Sequence, residues 1–426
     1  MAPFDPSVIT KAGDSEAVPG LLKKINLLAG KEGDEARQDM KDLARDLFLS
    51  LETPREAMIR QCWAEPAVLT AIVSCHHKGI WEYLVENEDK GAFNAAEVAK
   101  VKGIDPPIIL RMMKHLGSMG YLKEVSKDTY TLTNHTRSLS VPIIGDPYPC
   151  MLVGCFGPIN NFHVWADKND WKTPSGPVGG PLQMAYNTEL NFFEHLQNVG
   201  VGEQFNSMMG GYHQGRPSWM DANFYPVQER LFDGFEKDNK EAALIVDIGG
   251  NVGHDLEEFG RKHPEAPGRL VLQDLPVIIG QIKRLDDRIE RMEYDFYTEQ
   301  PVKGARAYFM HSVLHDWSDD ICLKILANIV AAMKPGYSKL LINENIIPDT
   351  GAHSEHTALD MMMITLLSSK ERTRADWEEL LSQAGLKISG VYTVARNAES
   401  LIECELVEGA TNGTNGTNGT NGTNGH

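Results

Sequence analysis

Positive charge is scarce in this chain, and its scarcity argues against one broad class of function. The 426 residues include 41 Lys and Arg against 59 Asp and Glu, so the formal net charge is -18 at pH 7. A protein that binds nucleic acid generally needs a basic surface to neutralise phosphates. We therefore do not expect nucleic acid as a partner.

Cysteine and long apolar runs are also sparse. The six Cys, at positions 62, 75, 150, 155, 322 and 404, have neither the spacing of a metal knuckle nor that of a disulfide framework. No run approaches the roughly 20 apolar residues that span a bilayer. The first residues, MAPFDPSVITKAGD, have neither the basic start nor the apolar core of a signal peptide. We expect reduced thiols, no bound metal, no membrane partner and a cytoplasmic location.

Changes in composition divide the chain, which is long enough for several domains. The sequence predicts a helical, flexible N-terminal segment, a compact helical domain, an aromatic-rich helical segment, an α/β domain and a disordered tail, with bounds 1–55, 56–145, 146–235, 236–408 and 409–426. Within the first segment, residues 34–51 form a plausible amphipathic helix. The tail holds five copies of Thr-Asn-Gly, which offer nothing to bury.

Residues 56–145 show the outline of two helices followed by a hairpin. In DPPIILRMMKHLGSMGYL, Asp105 is placed to cap a helix that starts at Pro106, and apolar residues then recur at helical spacing. YLKEVSKDTYTLT follows as two alternating segments around Lys127 and Asp128. This outline is that of a winged helix, which binds DNA or another protein chain. We favour protein interaction, because the second helix carries few basic residues and the chain is acidic.

Residues 146–235 are rich in aromatic residues, Met, Gly and Pro. Their longest apolar stretch, FFEHLQNVGVGEQFNSMMGGY, looks helical. Apolar helical segments of this kind most often belong to a hydrophobic core, and they also form the walls of pockets for flat apolar ligands. Composition leaves both interpretations open.

Strands alternate with helices from residue 236 to residue 408. The predicted strands are ALIVDI, RLVLQD, IERMEYD, ARAYFMH, KLLINEN, SGVYTVA and SLIECEL. This alternation predicts a doubly wound, Rossmann-like α/β sheet. No helix separates the last two strands, so we expect them to pair as an antiparallel hairpin at the end of the sheet.

The stretch IVDIGGNVGHD has the form of a strand, a tight turn and a helix. Asp247 closes the strand, and the glycines at 249, 250 and 253 let the backbone approach a ligand closely. The second strand ends at Asp274, an acid suited to ribose hydroxyls or, alternatively, to capping the helix that LPVII begins. The pattern indicates an adenosine-type ligand. The spacing G-G-N-V-G favours S-adenosylmethionine over NAD without excluding NAD.

Four later stretches, FMHSVLHDWSDD, LLINENIIP, DMMMITLLSSKERT and ADWEELLSQAGL, complete an ordered series with the glycine loop and LQDLP. Together they resemble the plant and fungal small-molecule O-methyltransferases of the caffeate and flavonoid type, over residues of about 60–408. The resemblance implies S-adenosyl-L-methionine as cofactor and a Rossmann-like methyltransferase domain at 236–408. It also implies that residues 56–145 are a winged-helix dimerisation domain of a homodimer, and that residues 146–235 contribute the substrate pocket.

The resemblance implies a catalytic set. His315, in the H-D-W motif, would be the general base that removes a phenol proton, and Glu344 and Glu371 would flank and orient its ring. A neutral imidazole suits that task near pH 7, and a neighbouring carboxylate fixes its tautomer. Taken alone, His315 and Asp316 could equally cap a helix that begins near Trp317.

The cofactor and substrate positions are implied in the same way. Gly249 and Gly250 belong to the glycine loop, Asp274 binds the ribose, and Asp295 and Phe296 flank the adenine. His311 lies beside the cofactor, where the family often has Lys or Arg. The implied substrate-wall residues, which core packing would explain as well, are Phe205, Met209, Met362 and His163.

Departures from the family pattern keep a second function open. Asn251 replaces a common glycine, SSKERT replaces a glycine-containing approach to Glu371, and His311 is unusual. The first hypothesis is an S-adenosylmethionine-dependent O-methyltransferase that acts on an aromatic or polyketide secondary metabolite. The second is a methyltransferase-fold pericyclase, cyclase or dehydratase that binds the cofactor without methyl transfer. A winged-helix regulator with a ligand-sensing domain is the least favoured, since the chain is acidic and carries a complete set of base and acids.

Overall fold

The computed structural model describes residues 5–212, 215–395 and 398–407, and the chain divides after Tyr148 into two compact units. The boundary predicted between residues 145 and 146 lies close to this division. The finer divisions, after residues 55 and 235, stay predictions. The predicted disordered tail, 409–426, lies outside the described residues.

The first unit is mainly helical. Its helices are α1 Val18–Leu28, α2 Asp34–Leu51, α3 Pro54–Ile59, α4 Glu65–His77, α5 Ile80–Glu86, α6 Ala95–Lys102, α7 Pro106–Ser118, α8 Asn134–Ser138 and α9 Pro142–Gly145. Its strands are β1 Phe93–Asn94, β2 Leu122–Ser126 and β3 Thr129–Leu132, in the order β1-β3-β2. The amphipathic helix predicted at residues 34–51 is α2.

The predicted second helix and hairpin of this unit are α7 and the antiparallel pair β2–β3. Asp105 occupies the position before α7 and Pro106 is the first helical residue, although the Asp105 side chain makes no capping hydrogen bond. Asp128 turns the hairpin with a φ of 54°, a left-handed conformation that Asp tolerates better than most residues. Lys114 of α7 pairs with Glu124 of β2, so one of the few basic groups on this helix is already neutralised. The winged-helix interpretation itself stays a prediction.

The second unit is built on a seven-stranded sheet. The strands are β4 Ala243–Ile248, β5 Arg269–Asp274, β6 Ile289–Glu293, β7 Ala307–His311, β8 Lys339–Glu344, β11 Leu386–Tyr392 and β12 Ser400–Leu406, with two short strands, β9 Ile346–Ile347 and β10 Arg372–Thr373, paired outside it. The order is β11-β12-β8-β7-β4-β5-β6. Strands β4 to β8 are parallel, and β12 pairs antiparallel with both β8 and β11. The predicted sheet and its terminal antiparallel hairpin are thus confirmed.

Helices connect the strands and precede the sheet. They are α10 Pro147–Cys150, at the boundary between the units, then α11 Phe156–Lys168, α12 Pro181–Tyr186, α13 Phe192–Asn198, α14 Gly202–Tyr212, α15 His254–Lys262, α16 Pro276–Ile279, α17 Asp319–Val330, α18 Ser354–Met362 and α19 Arg374–Gln383. Among the described residues, no helix combines the length and the apolarity needed to cross a membrane.

The central strands β4, β5, β7 and β8 are buried on both faces, as their nearly continuous apolar sequences predict. In β7, Tyr308 and Met310 pack in one apolar cluster, whereas Ala307 and Phe309 pack in the other. This alternation follows from the opposite directions of successive side chains in a strand. Because β4, β5, β7 and β8 are parallel, their carboxyl ends meet at one edge of the sheet, where ligands bind in folds of this type.

Candidate active site

His315 lies in a short turn just beyond the carboxyl end of β7. The turn, Leu314–Asp316, is a single 3₁₀ turn, and α17 begins only at Asp319 with Ser318 in the cap position. His315 is therefore not a capping residue of that helix. Its ring is buried, with a side-chain exposure of 9%.

Glu344, the last residue of β8, holds this turn in place. Its Oε1 accepts hydrogen bonds from the backbone N–H groups of Val313, Leu314 and His315, at 3.2, 2.8 and 3.2 Å. The residue is almost fully buried. Three charge-assisted bonds to one buried oxygen leave the turn little freedom.

Glu371, immediately before β10, orients the His315 ring. Its Oε1 lies 2.6 Å from Nδ1 of His315, while Oε2 of Glu344 lies 3.8 Å from the same nitrogen. The backbone N–H of Glu371 donates to Asp360 on α18. Among the described residues, Oε2 of Glu344 and Oε2 of Glu371 have no hydrogen-bond partner. The structure thus brings together the three predicted catalytic residues.

Arg372 is a site residue that the sequence analysis did not identify. Its fully buried guanidinium donates to the carbonyls of Leu314 and Trp317 and to the carboxylate of Asp319. It therefore ties the segment that carries His315 to the strand that follows Glu371. Its position next to Glu371 in KERT was the available signal, but only the fold shows that the side chain points into this segment.

Asp316 is the second residue that the sequence analysis did not place in the site. Its Oδ1 lies 3.4 Å from Nε2 of His315, the ring nitrogen that is not bonded to Glu371. Because Asp316 follows His315 in the H-D-W motif, the sequence predicts that the two residues are close together. It does not predict that the Asp316 side chain points towards the ring of His315.

Burial and charge act in opposite directions on these groups. Burial lowers the pKa of His315, but the charges of Glu344, Asp316 and Glu371 outweigh it and raise the pKa to about 10. Burial raises the pKa of Asp316 to about 7, although His315 opposes the shift. Burial also raises the pKa of Glu344, again against the pull of His315. In the free protein the surrounding carboxylates therefore favour the protonated form of His315.

The same three side chains are the described residues whose donor atoms converge closely enough to hold a metal ion, within 4.8 Å of one another. The hydrogen bond from His315 to Glu371 already uses Nδ1. The prediction that the protein binds no metal stays a prediction.

The predicted glycine loop joins β4 to α15 and is tied to the next strand. The N–H groups of Gly249 and Gly250 donate to the Gln273 carbonyl at 2.8 and 3.2 Å. Asn251 has a φ of 53°, which suits Asn better than most non-glycine residues. Its N–H donates to Asp274 at 2.8 Å. Asp274 also accepts from the N–H of Leu275. Leu275 is the cap residue of α16, and no side chain makes a capping hydrogen bond there, so the structure does not support the alternative role of Asp274 as a helix cap.

Asp247 lies under this loop and is fully buried. Neither of its carboxylate oxygens has a hydrogen-bond partner among the described residues. Gly250 makes room for it, since a Cβ at that position would run into the Asp247 carboxylate. Burial, followed by the charge of Asp255, raises the pKa of Asp247 well above its usual value. A buried acid without a partner is suited to a cationic ligand group.

The glycine loop directly adjoins the turn that carries His315. A Cβ at Gly249, where φ is 74°, would come within 2.9 Å of the Val313 side chain. Phe296 packs at 5.9 Å, ring centroid to ring centroid, against Trp317, which follows the same turn. The predicted cofactor residues Gly249 and Phe296 therefore lie beside the predicted catalytic turn.

The structure gives less direct support to the predicted cofactor contacts of Asp295 and His311. Asp295 is exposed, and its carboxylate accepts from the N–H of Tyr297. His311 has both ring nitrogens at 2.8 Å from carboxylates, Nδ1 from Asp255 and Nε2 from Glu399. Its position at the end of β7 is as predicted, but the structure gives its hydrogen bonds to protein groups, so direct contact with a cofactor stays a prediction.

The predicted substrate-wall residues separate into three settings. Phe205 and Met362 pack in one apolar cluster with Phe192 and Phe193, and Phe193 lies 6.4 Å from Trp317 between ring centroids. Met209 is half-buried on α14, and a Cβ on the adjacent Gly210 would lie 3.0 Å from His254, which follows the glycine loop. His163 is exposed on α11, so its predicted contact with substrate has no support from burial.

Known proteins resemble this chain in sequence and in structure. Residues 229–387 match the family model of the O-methyltransferase domain. The O-methyltransferase mpaG' of Penicillium brevicompactum is 35% identical over 381 residues, which are 87% of this chain and 93% of that protein.

Two solved structures are similar in fold. One, described as a pericyclic reaction enzyme, superposes with a TM-score of 0.82 at 27% identity, covering 92% of this chain and 100% of the other. The other is LepI in complex with SAM, with a TM-score of 0.83 at 26% identity and the same coverage.

Proposed function

We propose, since this chain belongs to the S-adenosylmethionine-dependent O-methyltransferases, that it methylates a hydroxyl group of an aromatic or polyketide-derived secondary metabolite with His315 as the general base. One observation carries the proposal. The hydrogen bond of 2.6 Å from Nδ1 to Glu371 fixes the ring so that Nε2 is the nitrogen left for a substrate hydroxyl. The turn that bears it adjoins the glycine loop through Val313 and Gly249.

The loop has the chemistry that S-adenosylmethionine requires. The carboxylate of Asp247, buried and without a hydrogen-bond partner among the described residues, suits the ammonium group, and Asp274 faces the loop with further lone pairs for ribose hydroxyls. Phe296 offers an aromatic face for adenine. When bound, the cofactor would supply the electrophilic methyl group.

His315 must be neutral to accept a phenol proton, whereas in the free protein its pKa of about 10 keeps it protonated. A cationic ligand at the adjoining loop lowers that pKa by charge repulsion. Glu371 accepts a hydrogen bond from the Nδ1–H group. The neighbouring carboxylates stabilise the imidazolium that forms when Nε2 takes the substrate proton. Deprotonation of His315 would thus accompany cofactor binding.

The apolar cluster on the other side of Trp317 supports an aromatic or polyketide substrate. Phe192, Phe193 and Phe205 pack edge to face with centroid separations from 5.3 to 6.1 Å. Aromatic and Met side chains favour flat apolar ligands. The proposed substrate therefore places its ring system against this cluster and its hydroxyl at His315.

Methyl-labelled S-adenosylmethionine and a panel of phenolic polyketides test the proposal. We expect label in the product with the wild-type protein and a loss of about 10²–10⁴-fold in kcat for His315→Ala. His77→Ala is a matched control, because His77 is an exposed histidine on α4 of the first unit. Full label transfer by His315→Ala would contradict the general-base role.

The three carboxylates around His315 also favour a second function. An imidazolium held by carboxylates is a hydrogen-bond donor that can promote a cyclisation or dehydration without methyl transfer, and one structural neighbour is described as a pericyclic reaction enzyme. In that case the labelled assay would show substrate converted with no label transferred, and the methyl-transfer proposal would be withdrawn.

We also propose that the protein is a cytoplasmic homodimer joined through a winged-helix domain in the first unit. Large apolar side chains are exposed within residues 56–145, among them Met58, Trp63 and Val101 at 51%, 67% and 59%, and exposed apolar surface of this kind is available for association. Sedimentation equilibrium should give twice the monomer mass of 47.3 kDa. A monomer at micromolar concentration would contradict the proposal.

A further inference from the structure

The site holds four ionisable side chains, which are His315 and the three carboxylates around its imidazole. Nδ1 of His315 faces Glu371 and Glu344, whereas Nε2 faces Asp316 at 3.4 Å. The proposed mechanism uses the first two carboxylates to orient the ring and leaves Asp316 without a role. Yet Asp316 is the carboxylate next to the nitrogen that would receive the substrate proton.

The four groups differ in their access to solvent. Side-chain exposure is 9% for His315, 1% for Glu344 and 0% for Glu371, but 17% for Asp316. A proton taken up by Nε2 must leave before the next turnover, because each methyl transfer to a hydroxyl releases one proton. Of these groups, Asp316 alone combines contact with Nε2 and an appreciable opening to water.

We propose that Asp316 is a positioning and proton-relay residue that acts through Nε2 of His315. The substrate O–H bond breaks as its proton passes to Nε2. Once a cationic ligand again occupies the adjoining loop and lowers the pKa of His315, the Nε2–H bond breaks, and the proton passes to Oδ1 of Asp316 and from there to water. His315 returns to the neutral state, and the single proton of the reaction appears in solvent.

The acidity of Asp316 is consistent with this path. Burial raises its pKa to about 7, with His315 opposing the shift, so the carboxyl group can both take and release a proton near neutral pH. The remaining charged groups around the turn are fixed by other contacts: Glu344 by three backbone N–H groups, Glu371 by His315, Asp360 by the N–H of Glu371, and Asp319 by Arg372.

The inference rests on the proposed function, so its first test is independent of turnover. In protein with ¹³C-labelled histidine, the His315 resonance, identified by its absence in His315→Gln, is titrated in wild type and in Asp316→Asn. Loss of the Asp316 charge should lower the pKa of His315 by about one unit or more. Asp320→Asn, which removes an exposed charge that pairs with Ser318, should leave it unchanged. An unchanged pKa in Asp316→Asn would overturn the inference.

The second test uses pH–rate profiles with the best methyl acceptor. Asp316→Asn should lower kcat by about 10²-fold with little change in KM, and its kcat should rise with the concentration of a small buffer base, which replaces the relay. Asp316→Glu should recover part of the rate. Wild-type kcat in Asp316→Asn, independent of buffer, would also overturn the inference. If the wild-type protein transfers no methyl group at all, the proposed function fails, and the histidine titration decides the coupling alone.

Discussion

Replacement of Glu344 by Ala or by Gln separates its two contributions, the support of the turn and the charge beside His315. In Glu344→Ala the N–H groups of Val313, Leu314 and His315 lose their shared acceptor. A buried N–H without a partner costs about 1–3 kcal/mol, so three of them should lower the free energy of unfolding by at least about 3 kcal/mol. In Glu344→Gln the side-chain carbonyl can still accept from the same groups, and the loss should be clearly smaller.

Urea unfolding followed by tryptophan fluorescence measures this difference, since Trp317 follows the turn directly. The His315 titration supplies the second readout, because both variants remove the charge that raises its pKa. Both should therefore lower the pKa of His315, while only Glu344→Ala greatly lowers stability. Equal stability of the two variants would refute the argument that Glu344 holds the turn by backbone hydrogen bonds.

Three further predictions concern the glycine loop and pH. Gly250→Ala places a Cβ against the buried Asp247 carboxylate, so the Kd for S-adenosylmethionine, measured by calorimetry, should rise about tenfold or more; an unchanged Kd would show that the loop adapts. Asn251→Gly keeps the N–H that donates to Asp274 and a φ that Gly accepts, so affinity and turnover should be unchanged; a marked change would indicate a loop adjusted for a cofactor that is held but not consumed. His315 has its pKa raised from 6.5 to about 10, so its contribution to stability is complete below pH 6.5 and disappears as the pH rises to about 10. Urea titrations across that range should show the decline in wild type and a weaker one in His315→Gln, and parallel curves would contradict the sign of the shift.

Much of the fold was predictable because its signals are local. The apolar runs and intervening helical segments defined the parallel sheet, and the missing helix before SLIECEL predicted the antiparallel hairpin that β11 and β12 form. The left-handed φ of Asn251 also has a local cause, since Asn accepts this conformation better than most residues.

The sequence indicated some residues of the candidate site, but not how they interact. An ordered motif series indicated His315, Glu344 and Glu371. Along the chain, Glu344 is 29 residues and Glu371 is 56 residues from His315. The motif series indicated neither that Glu344 supports the turn through backbone N–H groups nor that Arg372 ties the turn to β10. The hydrogen bonds of Glu344 and Arg372 depend on how the ends of distant strands pack together, so no local sequence pattern predicts them.

His311 is the clearest example of a residue whose position, but not its hydrogen-bond partners, could be predicted from the sequence. Its place at the end of β7 was readable from the chain, since strand ends follow from periodicity. Its partners were not, because Asp255 is 56 residues away and Glu399 is 88. Asp247 and Asp316 are similar cases, because the sequence shows only where these residues stand in the chain. The burial of Asp247 and the orientation of the Asp316 side chain towards His315 arise only when distant segments pack together and exclude water.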